Sequence, residues 1–243
     1  MKIAFIGDSY QAYEQTATFK NSWTYQLALL YPQHQFLNYA NGGRGYDYYQ
    51  WALLDAKRKG IDVVFVNRTF NHRVAILADD EKFRFTSKQI LNGNYSLMET
   101  PAHYWTSAHQ PGIQSEHKRK TDLAKMELPS SVRMAMYTTM RTISISSLKH
   151  DYNDKWFDTV HELYNFKHII PLELLRLDQP YINATDKLCQ AHGLDSTNIE
   201  KGTMYNKGLT VSLDDDHWSL KAHTWVLNNY ILTQETIDIL SKE

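Results

Sequence analysis

The chain holds one cysteine, Cys189, in 243 residues, so no disulfide can form within it. A lone thiol suits a reducing compartment. Net charge is almost absent: 26 basic and 27 acidic residues leave −1. No basic surplus exists to draw a phosphate backbone, so nucleic acid is not an expected partner. No apolar run approaches the roughly 20 residues of a membrane helix, so no membrane partner is expected either. Lys2 is followed by only four apolar residues before Gly7 and Asp8, too few for the core of a secretory signal. A cytoplasmic location is the expectation, and the sequons at Asn67, Asn94 and Asn183 read as chance.

Cofactor and metal signatures are missing too. Gly7 is followed by Asp8-Ser9-Tyr10 and not by the Gly-x-Gly-x-x-Gly of a dinucleotide turn, and no Gly-Lys-Ser/Thr loop occurs. His161-Glu162 continues as Leu-Tyr-Asn, which excludes a His-Glu-x-x-His zinc helix, and His103, His109 and His117 are loosely spaced. We expect neither cofactor nor metal.

What is present is the composition of a globular chain with a sizeable core, 42% hydrophobic and 22% charged. It is rich in aromatics, with 16 Tyr, 6 Trp and 9 Phe, which serve cores and also flat ligands such as sugars. Lys2–Ile6 reads as a strand. Ser22–Leu30 reads as a helix with Ser22 as N-cap, stopped by Pro32. Gln35–Tyr39 reads as a second strand, Tyr48–Lys59 as a helix closed by Gly60, and Asp62–Asn67 as a central parallel strand. This β-α-β-α-β rhythm predicts an α/β doubly wound fold. Residues 79–165 break the rhythm and read as a large insertion carrying short elements, with helices expected over Pro129–Leu148 and Asp154–Tyr164. His168–Leu172 is a candidate strand weakened by Pro171. Ile182–His192, ending at Gly193, and Ser219–Leu232 read as helices. With no repeat or linker, residues 1–243 are expected to form one domain.

The apolar run Ile3-Ala-Phe-Ile6 leads straight into Gly7-Asp8-Ser9. A serine in that turn stands at the C-terminal edge of a sheet, where α/β proteins place ligands. A serine nucleophile needs a base, and Asp214-Asp-Asp-His217 offers an acid and a histidine at Asp-x-x-His spacing. Two more stations follow strands: Gly45, in Asn41-Gly-Gly-Arg-Gly45, and Asn71, in Asn67-Arg-Thr-Phe-Asn71-His72. Neighbouring parallel strands would bring Ser9, a Gly45 N–H and an Asn71 amide to one edge, where donors can stabilise an oxyanion. Each piece also has a bland reading: a turn serine, an asparagine cap, a solvated acidic turn.

In this order the four stations resemble the SGNH (GDSL-type) hydrolase family. The resemblance implies a flavodoxin-like three-layer α/β/α sandwich with a mostly parallel sheet; it leaves the insertion after the third strand, residues 79–165, unmatched. It also implies esterase, lipase or acyl-transfer chemistry without a metal. Carried over by position, Ser9 is the nucleophile, His217 its base and Asp214 the orienting acid. Ser9, Gly45 and Asn71 supply the oxyanion hole. The chain departs from the pattern in places. Tyr10 replaces the usual Leu, and Thr69-Phe70-Asn71-His72 replaces Gly-x-Asn-Asp. Gly42 and Gly43 compete with Gly45, Asp215 and Asp216 compete with Asp214, and Trp218 stands where Pro is frequent. The expected activity is hydrolysis of an acyl ester by a catalytic triad. The substrate is a small-molecule or carbohydrate ester, since Tyr95, Tyr104 and Trp105 could stack on a sugar. The alternatives are an O-acyltransferase on the same fold, or a non-catalytic carbohydrate-binding or assembly protein.

Overall fold

The structure, a computed structural model, describes residues 1–11, 21–40, 46–68, 75–78, 90–98, 103–106, 164–174, 183–196, 202–213 and 217–242. The expected helices over Pro129–Leu148 and Asp154–Tyr164 lie outside these residues, apart from Tyr164.

Strand β1 (Lys2–Ile6) alternates its side chains between two apolar layers, which is why its run is continuous rather than amphipathic. Ile3 and Phe5 face one core; Ala4 and Ile6 face the other. β2 (Gln35–Asn38) and β3 (Val63–Asn67) flank β1, and both pair with it in parallel. Between them run α1 (Trp23–Leu30) and α2 (Tyr46–Arg58). Ser22 caps α1, its hydroxyl accepting from the Tyr25 N–H at 3.3 Å. Gly60 ends α2 at φ +68°, the left-handed conformation that glycine adopts without strain.

Beyond β3 come β4 (Ala75–Ala78), β5 (Ile90–Asn92), β6 (Tyr95–Leu97), β7 (His103–Thr106) and β8 (His168–Leu172). Among the described residues, six strands form one sheet in the order β5-β6-β2-β1-β3-β8, while β4 and β7 pair antiparallel as a second. From β6 to β8 every pairing is parallel; only the outer β5–β6 pair is antiparallel. Part of the expected insertion therefore extends the main sheet past β2.

Pro171 fits β8 because of strand phase. The His168 N–H donates to the Asp62 carbonyl, and the Leu172 carbonyl accepts from Arg68 N–H. His168 and Leu172 thus point their backbone groups at β3, and Pro171, one residue out of phase, turns its missing N–H away.

The remaining helices are α3 (Ala184–Ala191), α4 (Thr203–Asn206), α5 (Leu220–Val226) and α6 (Gln234–Leu240), with a π-helical turn at Leu227–Ile231. The last helical segment thus differs from the single helix expected over Ser219–Leu232. Helix α2 covers one face of the sheet with Tyr48, Tyr49, Ala52, Leu53 and Ala56. The other face is covered from α1, α3, α5 and α6. This is the flavodoxin-like three-layer α/β/α sandwich, built on a mostly parallel sheet.

Many of the described aromatics are buried in these layers. Trp23, Trp218, Tyr39, Tyr48, Tyr49 and Tyr95 are all fully buried. Phe5 meets Trp23 nearly perpendicular at 5.3 Å and stacks on Phe36 at 5.7 Å. Tyr95 is a correction to the sugar-stacking expectation. Its ring is in the core, and its hydroxyl bonds Asn38 Nδ2 at 2.8 Å and Thr24 Oγ1 at 2.9 Å. A strand residue pointing inward has no face left for a ligand. Tyr104 and Trp105 belong to the β7 backbone, and their side chains lie outside the described set.

Candidate active site

The chain leaves β1, forms β2 on one side of it and returns to form β3 on the other. The strand order reverses there, and that reversal opens a crevice at the C-terminal ends of the strands. The turn that follows β1 sits in it. The Gln11 N–H donates to the Asp8 carbonyl at 3.0 Å, closing a four-residue turn with Ser9 and Tyr10 at its corner.

The turn is fixed from both neighbouring strands. On one side, Asp8 Oδ1 accepts from the Tyr10 N–H at 3.1 Å and from Asn67 Nδ2 at 3.3 Å. Asn67 Oδ1 in turn accepts from the Leu174 N–H at 3.1 Å, just past β8. On the other side, Asn38 Nδ2 donates to the Gln11 carbonyl at 3.1 Å, and Asn38 Oδ1 accepts from the Ala40 N–H at 2.8 Å. Asp8, Asn38 and Asn67 are all buried. Buried polar groups with matched partners hold a geometry more tightly than apolar contacts do.

Sequence reasoning missed both asparagines. Their signal was available: each is the last residue of an apolar strand, Phe36-Leu37-Asn38 and Phe65-Val66-Asn67.

A side chain at Gly7 would displace Gln11. A Cβ there would lie 1.3 Å from Gln11 Oε1, because the buried Gln11 side chain folds back beneath the turn. Ser9 is 6% exposed at the corner of this turn.

His217 reaches the same place from the other end of the chain. Its carbonyl accepts from the Val211 N–H at 2.9 Å, Trp218 bridges antiparallel to Thr210, and the Ser219 N–H donates to the Leu209 carbonyl at 3.0 Å. Ser219 then caps α5, accepting from the Ala222 N–H at 3.3 Å. So held, the His217 imidazole lies 5.3 Å, centroid to centroid, from the Tyr10 ring, with a 36° tilt. The His217 ring therefore packs against Tyr10, the residue that follows Ser9 in the turn. The other sequence candidates, Gly45, Asn71 and Asp214, lie outside the described residues.

Two further titratable groups are nearby or share the core. His223 is buried, and its Nδ1 accepts from the Trp23 N–H at 3.4 Å. Burial, and secondarily the charge of His217, push its pKa down to about 3, so it stays neutral near pH 7. Cys189 is buried in α3, and burial followed by Asp186 pushes its thiol up to about 11, which makes it a poor nucleophile. Among the described residues, no group of three or more His, Cys, Asp or Glu side chains could hold a metal. No helix among them is long and apolar enough to cross a membrane.

The arrangement defines an α/β protein with a serine-bearing turn at the topological switch point of its sheet and a histidine beside it. No family model matches the chain, and no curated protein matches it. Among solved structures, it is similar to a protein of Desulfitobacterium hafniense DCB-2 placed by name in the lipolytic G-D-S-L family. That likeness has 14% identity and a TM-score of 0.37, and covers 93% of this chain and 95% of the other. At that score it assigns no residue a role.

Proposed function

We propose that this chain is a serine esterase of the SGNH type, acting on an acyl ester. The observation that carries the reading is the meeting of two distant segments at the switch point. The Ser9 turn is pinned by Asn38 and Asn67, and the His217 ring rests against the very next residue.

In this reading Ser9 Oγ attacks the ester carbonyl carbon as its proton passes to His217. Asp214 orients the imidazole and stabilises the imidazolium. The carbonyl oxygen becomes an oxyanion, received by the Ser9 N–H, the Gly45 N–H and the Asn71 amide. Collapse of the tetrahedral adduct breaks the bond to the alcohol, which leaves with the proton from His217. Water, deprotonated by the same imidazole, then releases the acid from the acyl-serine. The Asp8–Asn67 bond holds the turn throughout and takes no part in the chemistry.

The test combines aryl acetates of increasing acyl length with a fluorophosphonate probe. Ser9 is expected to carry the phosphonyl adduct in a mass-mapped digest, and Ser9→Ala to lose both labelling and turnover while folding normally. Asp214→Asn is expected to lose less activity than His217→Ala. Retained turnover in Ser9→Ala would remove the mechanism. Product diverted to an added sugar acceptor would instead favour acyl transfer.

A further inference from the structure

The backbone of the nucleophile turn and that of the histidine segment are each fixed by their own hydrogen bonds, but those bonds do not aim the imidazole at the serine. Among the described residues, the rings that join the two segments are those of Tyr10, His217 and Trp218. Tyr10 packs against the imidazole at 5.3 Å and meets the Trp218 indole nearly perpendicular, at 4.9 Å and 77°. Trp218 is immobilised in turn. It is 1% exposed and sits nearly perpendicular to the His223 ring at 5.5 Å, and His223 is tied to the first residue of α1 through the Trp23 N–H. The Tyr10 backbone is fixed by Asp8, and Asp8 by Asn67. One side of the His217 ring thus has a shelf whose position is set from β3, from α1 and from the turn itself.

The geometry points to Tyr10 as a positioning residue for the base: its ring holds the His217 imidazole toward Ser9 and stabilises the positive charge that the imidazole gains when it takes the serine proton. This inference rests on the esterase reading for its chemistry, but the contact it names does not.

Two effects follow. A ring against one face restricts imidazole rotation, so less orientation has to be found at the moment of attack. An aromatic ring within about 6 Å of a cation also attracts it through the ring's quadrupole. Neither effect acts on the bound ester: the first orients the base, and the second needs a charge that appears only as the proton moves. The expected signature is a change in kcat and not in KM.

Tyr10→Leu keeps an apolar side chain at the corner and removes the ring; Tyr10→Phe keeps the ring and removes the hydroxyl. With an aryl acetate as substrate, Tyr10→Leu is expected to lower kcat about tenfold, which is about 1.4 kcal/mol of barrier. KM and Tm should stay near wild type. Phosphonylation of Ser9 by the fluorophosphonate should slow in the same proportion, and Tyr10→Phe should stay within about twofold of wild type in both assays. A second readout needs no turnover. The imidazole proton resonances of His217, assigned by their loss in His217→Gln, should shift and broaden in Tyr10→Leu and not in Tyr10→Phe.

Unchanged His217 resonances in Tyr10→Leu overturn the inference. So does a loss confined to KM, or a Tyr10→Phe variant as slow as Tyr10→Leu. An unlabelled Ser9 together with ring-dependent His217 resonances would overturn the esterase reading while leaving the contact in place, so the two failures are distinguishable.

Discussion

Asn67 ends β3 and Asn71 follows it in sequence; the proposed function expects separable duties of them, Asn67 holding the turn and Asn71 receiving the oxyanion. Asn67 is the one whose environment is described. Its amide nitrogen donates to Asp8 at 3.3 Å, its oxygen accepts from the Leu174 N–H at 3.1 Å, and it is fully buried. Asn67→Ala removes both bonds at once. A hydrogen bond to a carboxylate contributes about 1.5–3 kcal/mol, and the 3.3 Å length points to the lower end of that range. The Leu174 N–H, left buried without its acceptor, costs about 1–3 kcal/mol more. We expect a total loss of roughly 3 kcal/mol. With a urea m-value of about 3 kcal/mol/M, the unfolding midpoint should fall by about 1 M with m unchanged. Asn71→Ala should do the opposite. It should leave the midpoint within the roughly 1 kcal/mol of a lost cap and lower kcat by about a hundredfold. Urea denaturation and aryl acetate kinetics on the same preparations make the comparison. An Asn67→Ala variant with an unshifted midpoint would show that Asp8 and the turn are held by something else. A large stability loss in Asn71→Ala with normal kcat would remove it from the oxyanion site.

Two further predictions concern packing and charge. Gly7→Ala should destabilise by about 1–3 kcal/mol, because its Cβ would overlap the buried Gln11 side chain; Gln11→Ala in the same chain should restore most of the loss, a coupling that a double-mutant cycle in urea reads directly. Additive losses would refute the overlap. His223 predicts acid sensitivity. Its folded pKa, about 3, lies below the value near 6.5 that an unfolded histidine takes. The unfolded state therefore binds the extra proton first, so the stability contribution is complete above about pH 6.5 and is lost as pH falls toward 3. Between pH 6.5 and 5 this group alone should remove about 2 kcal/mol, and His223→Gln, whose amide oxygen can still accept from Trp23, should flatten that limb. An identical limb in the variant would show that His223 is not the group responsible.

Local signals in the sequence were sufficient wherever the deciding interaction was itself local. Ser22 caps α1 and Gly193 closes α3 because a cap involves residues three or four apart. β1 and β3 were legible as buried strands because both faces of a central parallel strand are apolar, so the run is unbroken. The position of Ser9 in the turn after β1 was legible for the same reason: it follows from the strand that ends just before it. Thr233, which caps α6 and lets the chain continue beyond Leu232, was a local signal left unread.

Tertiary structure decided what depends on partners far apart in the chain. Nothing near Tyr95 tells a core tyrosine from a sugar platform; that was settled by Asn38 and Thr24 meeting its hydroxyl. The 90–97 segment was unplaced in the sequence because an outer strand is chosen by the open edge it finds, here that of β2. Asn38, inside the expected strand Gln35–Tyr39, and Asn67, at the end of the expected strand Asp62–Asn67, acquire their part only when the sheet order sets them on either side of one turn. The approach of His217 to Tyr10 is the furthest removed from any sequence pattern. It depends on the sheet carrying the turn after β1 to the place where the segment leading into α5 packs.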